Sequence, residues 1–161
     1  MPVTFNLRHL EGKNLPLKGE LPSAELDLEG LDELIHCRSP LTYDLEVQKL
    51  ERAILVLGKL ELLLECECAR CLKAFPHPLI FERWACHLPL EGGEEPARIL
   101  NDCVDLTPYL REDIVLAFPQ HPLCKAECRG LASPQQDLGK GGEGASQTIS
   151  SAWAELNKLK L

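Results

Sequence analysis

The chain has 161 residues, enough to bury a self-sufficient core in one domain with a tail to spare, so a bound metal would brace it locally instead of supplying its stability. Lys and Arg number 17 against 25 Asp and Glu, and the formal charge of -8 excludes a uniformly basic surface, confining any phosphate contact to a local patch or a protein partner. Four Phe, two Trp and two Tyr are too few for a broad base-stacking platform, and no run of about eighteen apolar residues lacks a charge.

The opening MPVTFNLRHLEGKNLP contains no apolar core of signal-peptide length, so a soluble cytoplasmic protein is expected. Thiols stay reduced in that compartment, and eight cysteines are then not a disulfide framework. Val3 to Leu10 alternates apolar and polar residues and predicts a strand ended by Gly12 and Pro16. GELPSAELDLEG fits either a short helix capped by Ser23 or a strand through Leu26 and Leu28. From Leu41, Tyr43, Leu45 and Val47 share one strand face. The run AILVLGKLELLLECEC is split by Gly58-Lys59, which predicts a hairpin turn there. Beyond it Leu60, Leu62, Leu64, Cys66 and Cys68 share one face, against Glu61, Leu63, Glu65 and Glu67 on the other, so the strand delivers Cys68 to its end. HPLIFERWACHL after Pro76 predicts a further strand, and residues 91–96 a polar loop.

DLTPYLREDIVLAFP reads as a helix from Asp105 to Phe118, with Thr107 as N-cap, Pro108 at the first turn, and Leu106, Leu110, Ile114 and Phe118 at helical spacing. Residues 132–149 are rich in Gly, Ser and Gln and predict a flexible linker. Residues 150–161, with Ser150 or Ser151 as cap and Trp153, Leu156 and Leu159 on one side, predict a helix too short to stand alone and therefore docked. The expected architecture is α+β: a mainly antiparallel sheet or partial barrel with one central helix and a C-terminal helix, residues 1–131 forming the single globular domain.

Cys68 and Cys71 form C-x-x-C, and Cys124 and Cys128 form C-x-x-x-C, both beside prolines. Two such pairs suit a tetrahedral site of four thiolates, each pair spanning one edge, so zinc is the expected structural cofactor. Four thiolates on Zn²⁺ carry a net charge of minus two, and Arg70, Lys73, Lys125 and Arg129 lie within or beside the pairs. With Arg83 they are the best basic cluster in the chain and the candidate contact for RNA or a partner. Reduced thiols that merely pack are the plainer reading. A thiol redox protein using Cys68 and Cys71 is the sharper one, but it requires a helix N-terminus after the strand, and LKAFPHP follows instead. Cys37, Cys66, Cys86 and Cys103 read as small core residues, His77 and His121 as turn or surface residues. Asp102, Asp105, Glu112 and Asp113 form a carboxylate cluster that fits a helix approach and a solvated face. No nucleophile elbow, P-loop, dinucleotide fingerprint or H-E-x-x-H occurs, so no enzyme is expected.

The succession CARCL at 68–72, VDLTPYLREDIVLAFPQHPLC at 104–124, CRGL at 128–131 and the closing AWAELNKLKL resembles the YceD family of bacterial large ribosomal RNA subunit accumulation proteins. The resemblance implies a non-enzymatic role in the synthesis, processing or stability of large-subunit (23S) ribosomal RNA, in contact with that RNA or an assembly particle, directly or through a protein, and not with a membrane. It carries over Cys68, Cys71, Cys124 and Cys128 as candidate metal ligands and no catalytic residue. Many members continue with further cysteines where this chain reads LASPQQDLGKGGEG, so a second metal site is not expected. A plain protein-interaction scaffold is the remaining alternative.

Overall fold

The structure, a computed structural model, describes residues 2–90, 92 and 97–131. The predicted linker and docking helix lie outside the described residues, as does most of the loop at 91–96.

Strand β1 (Thr4–Asn6) is shorter than the alternation at Val3 to Leu10 predicts. The Asn6 side chain accepts from the Arg8 amide at 2.9 Å, and the Leu7 amide donates to the Asp102 carbonyl at 2.8 Å, which bends Leu7–Leu10 into a 3₁₀ turn. The segment left open between strand and helix is both: β2 (Leu15–Leu21) runs into a one-turn helix α1 (Ser23–Leu26), with Leu26 and Leu28 buried. Ser23 is not its cap, for Pro22 occupies that position with no side-chain bond.

After β3 (Ile35–His36), strands β4 (Leu41–Lys49), β5 (Ala53–Glu67) and β6 (Ala74–Pro89) form the body of the molecule. The predicted turn at Gly58-Lys59 is not there. β5 runs straight through, and the chain reverses at Leu50-Glu51-Arg52 instead, where the Leu50 amide meets the Ala53 carbonyl at 2.8 Å. Gly58 serves close approach: a Cβ there would lie 2.7 Å from Leu45 Cα and collide with the Asp44 carbonyl. β6 begins at Ala74, before Pro76, and both Pro76 and Pro78 sit within it. Among the described residues it pairs only with β5, an edge position that tolerates residues lacking an N–H.

All pairings are antiparallel, in the order β2-β4-β5 with β6 on the other side of β5 and β3 continuing the β4 side. A second sheet joins β1 to β8 (Cys103–Asp105) and β7 (Ile99–Leu100), the last two linked by Asn101-Asp102 with φ of 52° and 62°. These positive values are those of a tight hairpin turn. The α+β expectation holds in outline, but neither sheet closes into a barrel.

The helix α2 spans Thr107–Leu116, inside the predicted Asp105 to Phe118. Leu106, Leu110 and Ile114 are fully buried at the predicted spacing. Its cap differs: Thr107 is already helical, Leu106 holds the cap position without a side-chain bond, and Asp105 Oδ1, one residue before it, accepts from the Thr107 amide at 2.9 Å. The freed Thr107 hydroxyl accepts from the Val3 amide at 2.9 Å, tying the N-terminal segment to the helix start. Trp84 Nε1 donates to Asp113 at 2.6 Å and fixes α2 against β6. Arg111 Nε donates to the Leu26 carbonyl at 2.9 Å, satisfying an orphan at the end of α1.

Candidate metal centre

β5 alternates as predicted: Leu60, Leu62, Leu64, Cys66 and Cys68 are buried, and Glu61, Leu63 and Glu65 are exposed. Its last residues are clamped on both edges. Cys66 faces Ile35 across one, Glu67 faces Ala74 across the other, and the Glu67 amide donates to the Leu34 carbonyl at 2.7 Å. The chain then turns tightly, with the Leu72 amide on the Cys68 carbonyl at 2.8 Å and the Cys68 amide on the Lys73 carbonyl at 3.0 Å. Closing this turn puts Leu72 at φ 58°, a left-handed conformation that costs an L-residue roughly 1–2 kcal/mol.

The second turn follows α2. Pro122 is buried, and its carbonyl accepts from the Ala69 amide at 2.8 Å, a backbone bond that joins the two turns. Within this turn the Cys128 amide donates to the Lys125 carbonyl at 3.1 Å. Gly130 at φ 86° leaves it in a conformation that glycine alone adopts without strain, and a Cβ there would press on the Arg70 carbonyl at 3.4 Å.

These two turns bring together all four sulfurs of Cys68, Cys71, Cys124 and Cys128, within 4.8 Å of one another. The shortest approaches cross between the turns: Cys68 to Cys128 is 3.7 Å and Cys71 to Cys124 is 3.6 Å. A regular tetrahedron with sulfur at the Zn–S distance has edges of about 3.8 Å, so the donor set fits such an ion in number, chemistry and spacing. Cys68 and Cys128 are buried, and Cys71 and Cys124 half-buried. Backbone hydrogen bonding at Cys124, and after it at Arg70 and Cys71, favours the Cys68 thiolate and draws its pKa down to about 6, although burial opposes this. Cys124 is pushed the other way, by desolvation first and then by the neighbouring thiols. The cluster therefore presents one ready thiolate and one reluctant one, a division that a cation at its centre would remove.

Among the described residues no histidine joins this group; His121 is exposed and His77 lies within β6. Cys37 and Cys66 are buried in the core, their thiols raised by desolvation, Cys37 to about 11. Cys86 is half-buried and likewise raised to about 11 by burial and by Asp113 and Glu112. Cys103 is half-buried, its sulfur accepting from the Asn6 side-chain Nδ2 at 3.6 Å. No α-helix begins directly after Cys68, where the chain turns back into β6, and the residue is buried, an arrangement unlike an accessible attacking thiol.

Arg70, Lys73, Lys125 and Arg129 are all exposed on the two turns. Arg70 does more than offer charge: its guanidinium donates to the Cys128 carbonyl at 2.8 Å and braces one turn on the other. Lys73, Lys125 and Arg129 make no ion pair with another described residue. Arg83 does not join them. It sits in β6 ten residues beyond Lys73, about 33 Å away at the rise of a strand. The carboxylates disperse as well: Asp102 pairs with Arg8 at 2.7 Å, Asp105 accepts from the Thr107 amide at the start of α2, and Asp113 holds Trp84. Glu112 lines a cavity of about 550 Å³ with Asp105, Tyr109, Arg98 and Leu100, which shares no residue with the thiol cluster. Ala69 and Pro122 carry no signal in the sequence for their part in joining the turns, whereas Leu72 and Gly130 stand in the CARCL and CRGL stretches, Gly130 two residues after Cys128.

A family model described as large ribosomal RNA subunit accumulation protein YceD matches residues 56–160, a stretch that contains both turns. An uncharacterized protein of Mycobacterium leprae is 27% identical over 143 residues, covering 82% of this chain and 65% of its own length. The chain thus spans about two thirds of that relative. No solved structure matches it. Among the described residues no helix is long and apolar enough to cross a membrane.

Proposed function

This chain belongs to the YceD family of large ribosomal RNA subunit accumulation proteins, and from that premise we propose that it acts as a non-enzymatic cytoplasmic factor whose four-cysteine centre holds a structural zinc ion. The observation that supports this most directly is the convergence of four sulfurs from two turns separated by 52 residues, at the spacing of a tetrahedral thiolate site. Nothing but a bound ion is needed to explain why four thiols meet with no disulfide among them.

In this reading the ion fixes the turn after β5 against the turn after α2. The consequence is electrostatic: Arg70, Lys73, Lys125 and Arg129 are held at one end of an otherwise acidic molecule, where they contact phosphates of large-subunit ribosomal RNA or of an assembly particle. Arg83 stands apart from that contact.

The test compares cells lacking this protein with cells carrying only a Cys68→Ser, Cys124→Ser variant, measuring the ratio of large- to small-subunit ribosomal RNA. A fall in the deletion strain and an equal fall in the variant are expected. An unchanged ratio in the deletion would remove the RNA role, and a fall in the deletion alone would detach the thiols from it. Native mass spectrometry checks the cofactor separately: one zinc per chain is expected, lost in Cys68→Ser, and a well-folded metal-free native protein would end the zinc reading.

A further inference from the structure

The outer faces of neighbouring strands in the large sheet differ. On β4 the solvent side is uniformly polar, Thr42, Asp44, Glu46 and Gln48, as expected where one face of an antiparallel sheet meets water. On β5 and β6 the same side carries Leu57, Leu63, Pro76, Pro78, Ile80 and Ala85. Leu63 is 44% and Ile80 51% exposed, more than the solubility of an isolated sheet face warrants. The register makes these a patch and not a scatter: Leu63 lies opposite Pro78, between the Glu65–Pro76 and Glu61–Ile80 pairs.

The border of the patch is acidic. Glu61, Glu65, Glu67 and Glu82 surround it, and Asp44 and Glu46 continue the border onto β4. Lys59 is shared between Glu61 at 2.6 Å and Glu82 at 3.5 Å, Arg38 meets Glu65 at 3.2 Å, and Lys18 meets Asp44 at 2.7 Å. With Arg83 beside Glu82 these make four cations against six carboxylates, so the face stays negative.

We propose that the outer face of the β5–β6 ribbon docks a cationic polypeptide segment carrying apolar side chains. RNA and anionic membranes are repelled by this border, and a second copy of the chain would set the same carboxylates against each other. A neutral apolar partner would desolvate the glutamates without pairing them. A segment with Lys or Arg beside Leu- or Val-like residues satisfies both halves of the surface. Docking is by side chains: Pro76 and Pro78 remove amide donors from the β6 edge, which discourages addition of a further strand along that stretch. The inference rests on this face alone and stands whether or not the thiolate end meets RNA.

The experiment titrates ¹⁵N-labelled full-length protein with a synthetic peptide of alternating lysine and leucine, beside an all-lysine peptide of equal length. The alternating peptide is expected to shift the amides of Leu57, Leu63 and Ile80 and to bind at least about tenfold more tightly than the all-lysine one. Leu63→Glu with Ile80→Glu makes the face more acidic while removing its apolar centre, so it should abolish that advantage without weakening the all-lysine peptide. Equal affinity of the wild type for the two peptides, or shifts confined to other faces, would overturn the proposal. In cells, a photo-cross-linking residue at position 80 should yield an adduct with a polypeptide of net positive charge. An adduct with RNA, lipid or a second copy of this chain, or no adduct, would overturn it as well.

Discussion

Chelating the proposed metal should loosen the two turns and leave the sheet intact. The amide of Ala69 reports on this because its partner among the described residues, the Pro122 carbonyl at 2.8 Å, lies on the other turn. With a metal bound, separating the turns means losing an ion whose apparent binding energy, about 10–16 kcal/mol in small structural sites, rivals the whole stability of a domain. Exchange at Ala69 then waits for global unfolding and is slowed several thousandfold or more. Without the ion, what remains is one backbone hydrogen bond and the Arg70 bond to the Cys128 carbonyl, together about 1–3 kcal/mol, so protection falls to roughly 5- to 150-fold. Val56 and Leu60, buried in the middle of β5 and paired on both sides, have no share in the site and should keep theirs. Native-state hydrogen exchange before and after chelation measures all three amides. If Ala69 stays protected, or if Val56 and Leu60 exchange with it, the site is not the local brace described here.

Leu72→Gly should stabilise the protein by about 0.5–1 kcal/mol, since it relieves the left-handed strain at φ 58° in excess of glycine's entropic cost, whereas Leu72→Val should destabilise it; denaturant midpoints decide. Gly58→Ala should cost about 2 kcal/mol or more in the same assay, because the new methyl meets β4 backbone that cannot swing aside. Cys37 and Cys86 keep their protons up to about pH 11, against 9.0 when unfolded, so the unfolded chain ionises first and stability should fall as pH rises through this window; alanine at both positions should flatten that decline. Arg129→Glu should weaken association with pre-ribosomal particles while Arg83→Glu, about 33 Å along β6 from Lys73, should leave it near the wild-type level in sedimentation profiles.

What was legible in the sequence was local. The parity of Leu60, Leu62, Leu64, Cys66 and Cys68, and the helical spacing of Leu106, Leu110 and Ile114, follow from single elements with one buried face, and both appear as read. The errors fall where a residue answers to a neighbour in space. Gly58 reads as a turn because glycine beside lysine so often makes one, yet it is glycine because β4 passes too close for a Cβ, while the true turn at Leu50-Glu51-Arg52 has no glycine or proline to announce it. In β6 the inward set runs Phe75, His77, Leu79, Phe81 and then Trp84, Cys86, Leu88. That slip of one residue at Glu82-Arg83 is a bulge, visible in the sequence once one looks for two adjacent exposed charges. At the thiols, the paired spacing pointed to the four residues that meet, but not to how they are held. The Ala69 to Pro122 bond, the Arg70 brace and the strain at Leu72 arise only when two distant turns face each other.

An acidic protein with the proposed RNA role has to separate its charges, and the arithmetic limits what each end does. With zinc bound as proposed, four cations at the thiol end would face the minus two of the thiolate-held ion and the Glu127 carboxylate between them, so the end is weakly positive at most. Four phosphate contacts bound the salt dependence to a slope no steeper than about three or four, well short of a protein that holds nucleic acid by itself. Such a contact positions more than it anchors. The proposed cationic partner on the β5–β6 face would supply the missing attachment, of opposite sign and on the strand that leads into Cys68. Two weak contacts of opposite polarity reinforce each other only on a particle that offers phosphate and basic polypeptide together, because the second then forms at the effective concentration set by the first. Free RNA or a free basic peptide would each engage one end and dissociate, so selectivity for an assembling particle would come from the spacing between the two surfaces.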